Sequence, residues 1–458
     1  MNNNFQKIFY TLFLFLILGV IWQAALHPYF HVDELEAVHT AWKIMQGEKI
    51  YIDFFQHHHP LFYYTLIPLL KLFGETAITL LAIRMFMFAM LSASVYVVYL
   101  LTKLLFNKNS AALAVLLLSS CILFIHRGIE IRPDIPQMFF GLLSVYFFFQ
   151  HLKVKKRYIL FLSTISLAIS FLYLQKAIFL IIILGLCQLF SIFKKRLNLK
   201  DFVSYWIFFI IALSPYYIII LLNGTFIYYL NLNWLLNFNW QKHVSPTPWL
   251  LLFLSTNFVM IGAYLAGLWQ MKKKFTWQLL GILSLLVFLS AYMAPESRAQ
   301  YFLMSMPLFA IPAAYSLDLL YRKNKILLNL LLPIAIFPAL ALFYGSATVD
   351  KQYYQYGKIE FMRHITSPED YIYDGNYNVN VFNVFRRDID YFWFSLHENG
   401  GLDTYKTLWD YDYDIYARIE QFRPKIISNY KIENMDHPSI NSHYAPIGVY
   451  DNIFIRKD

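Results

Sequence analysis

The amino-acid sequence predicts an α-helical polytopic membrane protein with a small α/β domain at its C-terminal end. Hydrophobic residues make up 59% of the 458 residues and charged residues only 14%, a balance that excludes a soluble domain of this length. The apolar residues form long runs as far as residue 345, and the remaining residues are polar and contain no such run. We therefore divide the chain into a membrane domain, residues 1–345, with an outer loop at 27–77, and a C-terminal domain, residues 346–458.

Apolar runs of about 17–25 residues are long enough to cross a bilayer, and we count about eleven of them. They are residues 8–26, 78–101, 110–125, 135–150, 158–174, 177–193, 202–222, 249–271, 277–294, 301–321 and 326–344. The first run has no small-residue cleavage site, so we interpret it as an anchor and not as a signal peptide.

Basic residues cluster in every second connection between these runs, at 103–108, 153–157, 194–196, 272–274 and 322–325. The positive-inside rule places such loops in the cytoplasm, so the other connections and the C-terminal domain are predicted to be extracytoplasmic. The net charge of +10 lies largely in these short loops and therefore does not indicate nucleic acid as a partner. The two cysteines, Cys121 and Cys187, lie inside apolar runs and predict neither a disulfide framework nor a metal site.

The C-terminal domain has its own pattern of short helices and strands. We predict helices over residues 351–365 and 415–422, and strands over 371–373, 425–428 and 452–455. The segment is long enough for a small domain of its own.

Two adjacent carboxylates, Asp33 and Glu34, directly follow the first apolar run. A carboxylate beside hydrocarbon costs several kcal/mol unless it is paired or used, so both are candidate catalytic residues. Apolar residues then recur at helical spacing, which predicts a helix over 33–46 lying on the membrane surface. An alternative is that Asp33 and Glu36 form a capping box at the start of this helix. The two interpretations are compatible.

Three consecutive histidines precede Pro60 at the end of the next segment, residues 51–60. Adjacent residues of a helix or strand do not converge on one point, so the run is weak support for a metal site. We take His57, His58 and Asp53 as candidate substrate-binding residues; a solvated turn before Pro60 is the alternative.

Several charges lie near the predicted outer ends of the spans. Arg84 lies about two turns into the second span, where it either pairs with an anion or snorkels to the interface. The turn at 127–134 places five charges in eight residues, and its Glu130, Arg132 and Asp134 are candidates for substrate binding. Some of these charges must pair with each other.

Two more cations lie on the predicted outer side, against the positive-inside bias. Lys176 stands between two long apolar runs, and Arg298 precedes Tyr301 in another outer connection. A cation on the disfavoured side is expected to bind an anion, so Lys176 and Arg298 are candidates for holding the phosphate of a lipid. Tyr301 is a further candidate substrate-binding residue.

These motifs occur in a fixed order. They are the acidic pair at 33–34, Asp-Phe-x-x-His-x-x-Pro-Leu at 53–61, the arginine at 84, Ile-Arg-Pro-Asp at 131–134, Leu-x-Lys at 174–176 and Arg-x-x-Tyr-x-x-x-x-x-Pro at 298–307. With them the whole chain resembles the GT-C glycosyltransferases that use polyprenyl-phosphate sugars, especially bacterial proteins similar to protein O-mannosyltransferases and lipid A aminoarabinose transferases. The chain departs from the family pattern at His59, where a second proline is expected.

The resemblance implies an inverting transfer of a monosaccharide from a polyprenyl-phosphate donor, at the outer face of the bacterial inner membrane. Asp33 would deprotonate the acceptor hydroxyl, and Glu34 would orient Asp33 or the acceptor. Lys176, Arg298 and Arg84 would stabilise the departing phosphate. A phosphate acceptor is already ionised, and Asp33 would then position it.

The implied partners are the lipid-linked donor, a glycolipid, glycan or protein acceptor, and membrane lipid. No cofactor is required, although a divalent metal is possible. The alternative is a transporter or flippase of lipid-linked sugars, which favours broken helices at the midplane and internal repeats. A polymerase or ligase of longer glycans is a third interpretation; it is expected to carry a large outer loop late in the chain.

Overall fold

A computed structural model describes most of the chain. The described residues are 19, 22, 29–239, 245–270, 274–294, 298–347, 352–373, 385–389, 408, 414–428, 432, 434–448 and 453–457. The predicted first span, residues 8–26, therefore lies outside the described residues except for two of its positions.

The chain forms two compact units. The first unit comprises Met1–Pro28, Arg84–Tyr217 and His243–Asp350, and the second comprises Tyr29–Ile83, Ile218–Lys242 and Lys351–Asp458. The second unit thus combines the first outer loop with the C-terminal segment. The predicted domain division after residue 345 stays a prediction.

Helices dominate the described residues. They are α1 Val32–Met45, α2 Leu61–Phe73, α3 Ala77–Leu105, α4 Lys108–Ser119, α5 Ile122–Gly128, α6 Asp134–Val154, α7 Arg157–Tyr173, α8 Ala177–Phe193, α9 Leu199–Leu222, α10 Phe226–Leu230, α11 Leu236–Phe238, α12 Thr247–Thr256, α13 Phe258–Gln270, α14 Phe275–Tyr292, α15 Ser305–Lys323, α16 Lys325–Ala347, α17 Gln352–Ile365, α18 Ile415–Phe422 and α19 Pro438–Asn441. A π-helical turn, Asn231–Leu235, joins α10 to α11, and a 3₁₀ turn, Ala299–Phe302, precedes α15.

Every predicted apolar run after the first is helical, but two runs are broken. Helices α4 and α5 meet at 69°, and α12 and α13 at 89°. At these breaks, the Ser120 hydroxyl and the Asn257 amide donate hydrogen bonds to carbonyls of the preceding helix, Leu117 at 3.0 Å and Phe253 at 3.1 Å. Short polar side chains that bond to a backbone carbonyl three or four residues earlier often bend helices, although Ser92, Ser94 and Thr102 make such bonds within the unbroken α3.

Among the described residues, four single helices are long and apolar enough to cross a membrane, and up to six when each bent pair counts as one span. They are α3, α6, α9 and α14, together with the pairs α4–α5 and α12–α13. The count of about eleven transmembrane helices therefore stays a prediction, while the membrane-protein character of the chain agrees with these helices.

Helix α15 forms the centre of the first unit, since 13 of its 19 residues are buried. It packs against α4 and α13. Close packing with α13 requires Gly267, because a Cβ atom at that position would lie 2.5 Å from the Pro312 carbonyl oxygen. Hydrogen bonds join other helices of this unit, such as the one between the hydroxyls of Tyr264 and Ser284 at 2.9 Å. Small residues and side-chain hydrogen bonds are typical contacts between membrane helices.

The C-terminal segment forms a five-stranded mixed sheet. Its strands are β1 Tyr371–Tyr373, β2 Arg387–Asp388, β3 Ile426–Ser428, β4 Tyr444–Pro446 and β5 Ile453–Arg456. Their order is β2-β1-β3-β5-β4, and β1 is parallel to both of its neighbours while β5 is antiparallel to both of its own. The helices and strands predicted for this segment are confirmed within one or two residues at each end.

Successive side chains of each strand point to opposite faces of the sheet, and each face has its own apolar cluster. Ile427 belongs to the cluster that includes Ile419 of α18, and Ile426 belongs to the cluster that includes Met362 of α17. Both faces of the sheet are therefore covered by helices.

Hydrogen bonds attach the C-terminal segment to the first outer loop within the second unit. The Gln355 side chain accepts from the Phe30 backbone N–H at 2.8 Å and donates to the Phe30 carbonyl at 3.1 Å. The buried Arg386 donates to the Thr366 hydroxyl at 2.8 Å and pairs with Glu75 at 3.7 Å. The loop and the C-terminal segment are thus fixed to each other by buried polar contacts.

Replacing Gly267 with alanine tests the close approach of α13 and α15. We expect Gly267→Ala to lower the free energy of unfolding by about 1–3 kcal/mol, because the new methyl group overpacks against backbone that cannot move aside. The matched control is Gly262→Ala in the same helix, where an added Cβ meets no atom within 4 Å. Thermal unfolding in detergent measures both variants. Equal melting temperatures for the two would contradict this packing.

Candidate functional site

The acidic pair lies at the start of α1, and its two carboxylates have different environments. Glu34 is completely buried, and its Oε2 accepts the backbone N–H of His31 at 2.8 Å. In return the His31 Nδ1 accepts the backbone N–H of Asp33 at 3.3 Å. His31 and Glu34 therefore form a reciprocal cap of the kind known as a capping box.

This cap corrects the predicted capping box of Asp33 and Glu36. The helix begins at Val32, one residue earlier than predicted, so His31 is the N-cap. The Asp33 carboxylate is not needed for the cap, and 29% of its side-chain surface remains exposed. Asp33 is thus the member of the pair that a substrate can reach.

The apolar face of α1 packs against protein, and its predicted position at the membrane surface stays a prediction. Ten of its fourteen residues are buried within the protein. Trp42 stacks on His39 with ring centroids 5.5 Å apart, and its indole N–H donates to Glu75 at 2.7 Å. The apolar spacing that predicted membrane contact instead reflects packing inside the second unit.

The loop after α1 holds the histidine run through its backbone. The buried Gln56 side chain accepts the N–H groups of His57 at 2.8 Å and His58 at 3.2 Å, and it donates to Glu36 of α1 at 3.0 Å. The rings of His57 and His58 are half-buried and lie 4.0 Å apart. Asp53 lies at an exposed turn, where its carboxylate accepts the Lys49 N–H at 2.7 Å.

His59, the position that departs from the family pattern, is completely buried. Its Nε2 lies 3.0 Å from the Tyr229 hydroxyl, which also accepts the Trp234 indole N–H at 3.0 Å. The Asn237 amide donates to the His57 carbonyl at 3.1 Å. These partners lie about 170 residues further along the chain. No local sequence pattern links them to the histidines, so the sequence did not predict them.

The candidate residues of the first unit form a charged cluster. Glu130, Arg132 and Asp134 are each less than 10% exposed. The Glu130 carboxylate pairs with Arg127 at 2.7 Å and also with Arg132. The predicted pairing within this turn is confirmed. Arg84, on α3, is only 2% exposed, so it does not snorkel to the surface.

Lys176 lies between α7 and α8 and contacts two other predicted residues. Its Nζ lies 3.4 Å from Asp134 and 3.6 Å from the centre of the Tyr301 ring, a cation–π geometry. Burial acts to lower the pKa of Lys176, but the charges of Asp134 and Tyr301 outweigh burial and raise the pKa above its ordinary value. Lys176 is therefore a cation at neutral pH.

Three cations, Arg127, Arg132 and Lys176, pair with the two carboxylates of Glu130 and Asp134 in this cluster. Arg298 immediately precedes the 3₁₀ turn that carries Tyr301 and belongs to the same unit.

A small recess adjoins Lys176, and its lining is polar at one end and apolar at the other. The polar residues are Asp134, Gln137, Lys176, Ser290, Gln300 and Tyr301. The apolar residues are Phe179, Leu180, Val287, Ala291 and Met304. The recess thus offers a cation to an anionic group and an apolar wall to a hydrocarbon chain.

Each unit holds one group of the predicted site residues. The second unit holds Asp33, Glu34, Asp53, His57 and His58, and the first holds Arg84, Glu130, Arg132, Asp134, Lys176, Arg298 and Tyr301. Within the described ranges, no three histidine, cysteine or acidic side chains converge as metal ligands.

A family model described as dolichyl-phosphate-mannose-protein mannosyltransferase matches residues 57–219. The fold is similar to that of ArnT from Cupriavidus metallidurans bound to undecaprenyl phosphate, with a TM-score of 0.70, 12% identity and coverage of 97% of each chain. It is also similar to the apo oligosaccharyltransferase of Archaeoglobus fulgidus, with a TM-score of 0.62, 13% identity, and coverage of 92% of this chain and 70% of that one.

The archaeal enzyme AglB, from the same organism, has also been solved with an inhibitory peptide and a dolichol-phosphate. This chain matches it with a TM-score of 0.60 and 13% identity, over 92% of this chain and 69% of that one. A comparison with curated protein sequences gave no match. The family model over residues 57–219 and the shared fold together confirm the resemblance of this chain to the GT-C glycosyltransferases that the sequence indicated.

Proposed function

We propose that this protein is an inverting glycosyltransferase that moves a monosaccharide from a polyprenyl-phosphate carrier to an envelope glycolipid, glycan or protein. The observation that carries this proposal is the recess beside Lys176, where one cation stands at the polar end of an apolar wall. A phosphate attached to a hydrocarbon chain has both of the chemical features that this recess would accommodate.

In this proposal the Lys176 ammonium group binds the carrier phosphate in place of part of its interaction with the Asp134 carboxylate. Their separation of 3.4 Å is long for a charge-assisted hydrogen bond, which leaves the ammonium group able to bind a second anion. Arg298 and Arg84 of the same unit supply further positive charge. The ArnT structure bound to undecaprenyl phosphate supports a carrier of this class.

Asp33 is the proposed general base. It removes the proton of an acceptor hydroxyl while the hydroxyl oxygen forms a bond to the anomeric carbon of the donor. The bond from that carbon to the phosphate oxygen breaks on the opposite face, and its electron pair leaves with the polyprenyl phosphate. The configuration is inverted, the cations stabilise the charge that develops on the leaving group, and Asp33 later releases its proton to water.

Glu34 has a positioning role in this account. Its bond to the His31 N–H fixes the first turn of α1 and so the direction of the neighbouring Asp33. The outer loop at 27–77 and the C-terminal domain would lie on the outer face of the inner membrane, as the alternation of basic loops predicts.

Removing the proposed base tests the chemistry. We expect Asp33→Asn to lower turnover by about 10²–10⁴, because the amide keeps the shape of the side chain but cannot accept a proton. The assay measures transfer from a lipid-linked sugar by purified protein. Glu36→Gln is the matched control on the same helix and should retain most of the activity. Near-normal turnover by Asp33→Asn would assign the base to another carboxylate.

Removing the proposed phosphate ligands tests the carrier site. Lys176→Ala and Arg298→Ala should each weaken binding of the polyprenyl-phosphate donor by about 1.5–3 kcal/mol, the value of a hydrogen bond to a charged group. The measurement is the dependence of the initial rate on donor concentration. Lys194→Ala, at the opposite end of α8 from Lys176, serves as the control and should bind donor normally. Unchanged donor affinity in both variants would make these cations purely structural.

Reporter fusions test the orientation. A reporter that is active only in the periplasm should be active when fused after Asp458 and silent when inserted at 272–275, because basic loops stay in the cytoplasm. The opposite pair of signals would place the proposed site on the cytoplasmic face.

A further inference from the structure

We propose that the second unit contains a separate binding site for an extended, uncharged glycan, so that the acceptor is recognised far from the hydroxyl that reacts. This inference rests on the proposed function, since it takes Asp33 as the reacting end of the acceptor site. The site is a cavity of about 330 Å³ between the C-terminal end of α1, the loop that follows it, and the edge of the sheet.

The cavity has the size and lining of a ligand site. Pockets that bind small molecules typically enclose about 300–1,000 Å³ and combine aromatic surface with a few polar groups. Here the rings of Tyr371 and Phe422 provide the aromatic surface and lie 5.1 Å apart. Gln46 and Asp388 are among the polar residues of the lining.

The charges around the cavity are balanced. Three cations, Lys43, Arg387 and Arg418, face three carboxylates, those of Glu48, Asp53 and Asp388. Several of them already have partners: Lys43 pairs with Glu48 at 2.9 Å, and Arg418 donates to the Ile389 carbonyl. An anionic ligand would meet three carboxylates here, so the lining does not favour phosphate or an acidic sugar.

Arg387 is different, because its side chain is exposed and no hydrogen bond or ion pair joins its guanidinium to any described residue. It lies on β2, the edge strand of the sheet, and therefore presents its donors at the mouth of the cavity. Sugar hydroxyls both donate and accept hydrogen bonds, so they match a lining of guanidinium, amide and carboxylate groups, and sugar rings can lie against the two aromatic side chains.

Helix geometry sets the distance between this cavity and the proposed base. Lys43, which lines the cavity, follows Asp33 by ten residues on the same helix. With a rise of about 1.5 Å per residue, the two positions are about 15 Å apart along the helix axis. A single sugar cannot reach both, so an acceptor that occupies the cavity and reacts at Asp33 has to be a chain of several sugars.

This arrangement also gives the C-terminal segment a function. The cavity is formed only when β2 and α18 lie against the loop after α1, and the contacts of Arg386 with Glu75 and of Gln355 with Phe30 hold them there. The same contacts that attach the segment therefore build the glycan site.

A binding experiment on the purified full-length protein tests this inference without depending on turnover. The probes are neutral oligosaccharides of one to six sugars and unmodified peptides of similar length, each immobilised on an array. We expect binding to glycans of three or more sugars, and the double variant Gln46→Ala/Arg387→Ala should lose it at least tenfold. Both changed side chains are exposed, so the variant should fold. Arg423→Ala is the matched control, an exposed arginine in the same segment that does not line the cavity.

Three outcomes would overturn the inference: glycan binding that the double variant leaves unchanged, binding of peptides in place of glycans, and no binding to either probe. Asp33→Asn should bind glycans normally while losing transfer. A failed glycan site with intact transfer, or the reverse, would therefore separate this inference from the proposed function.

Discussion

The reciprocal cap between His31 and Glu34 is the interaction on which the proposed acceptor site depends. Two carboxylates adjacent in sequence point in different directions from a helix, so only one of them can satisfy the first-turn amides while the other faces outward. The buried Glu34 accepts the His31 N–H, whereas 29% of the Asp33 side chain remains exposed. The cap thus distinguishes the two carboxylates: Glu34 stabilises the start of the helix, and Asp33 is the proposed catalytic residue.

The second unit extends this arrangement by fixing α1 from several sides. Gln56 joins the helix to the histidine loop, Glu75 accepts from Trp42, and Arg386 connects Glu75 to the C-terminal segment. These contacts are polar and partly buried, which makes them specific in geometry and costly to break. The proposed base therefore lies on an element whose position depends on chain segments more than 300 residues apart.

The sequence predicted the secondary structure better than the site geometry, for physical reasons. Apolar runs and β-branched residues are local signals, and they located α8 and α18 at the observed residues and β1 and β3 within one residue. The bends at Ser120 and Asn257 lie inside continuous apolar runs, so the hydrophobic pattern did not predict them. The amphipathic pattern of α1 did not show whether protein or lipid covers its apolar face, and in the structure protein covers it. The sequence indicated that charged residues such as Lys176 and Asp134 need partners. Which of these residues pair with each other depends on the fold.

The separate roles of Asp33 and Glu34 are the central claim, and the turnover of Glu34→Gln tests it most directly. Glutamine keeps the oxygen that accepts the His31 N–H, since it serves in capping boxes as glutamate does. The account predicts a melting temperature and a rate of sugar transfer close to those of the unmodified protein. A rate as low as that of Asp33→Asn, in a variant that melts normally, would show that Glu34 takes part in the chemistry and would contradict the account.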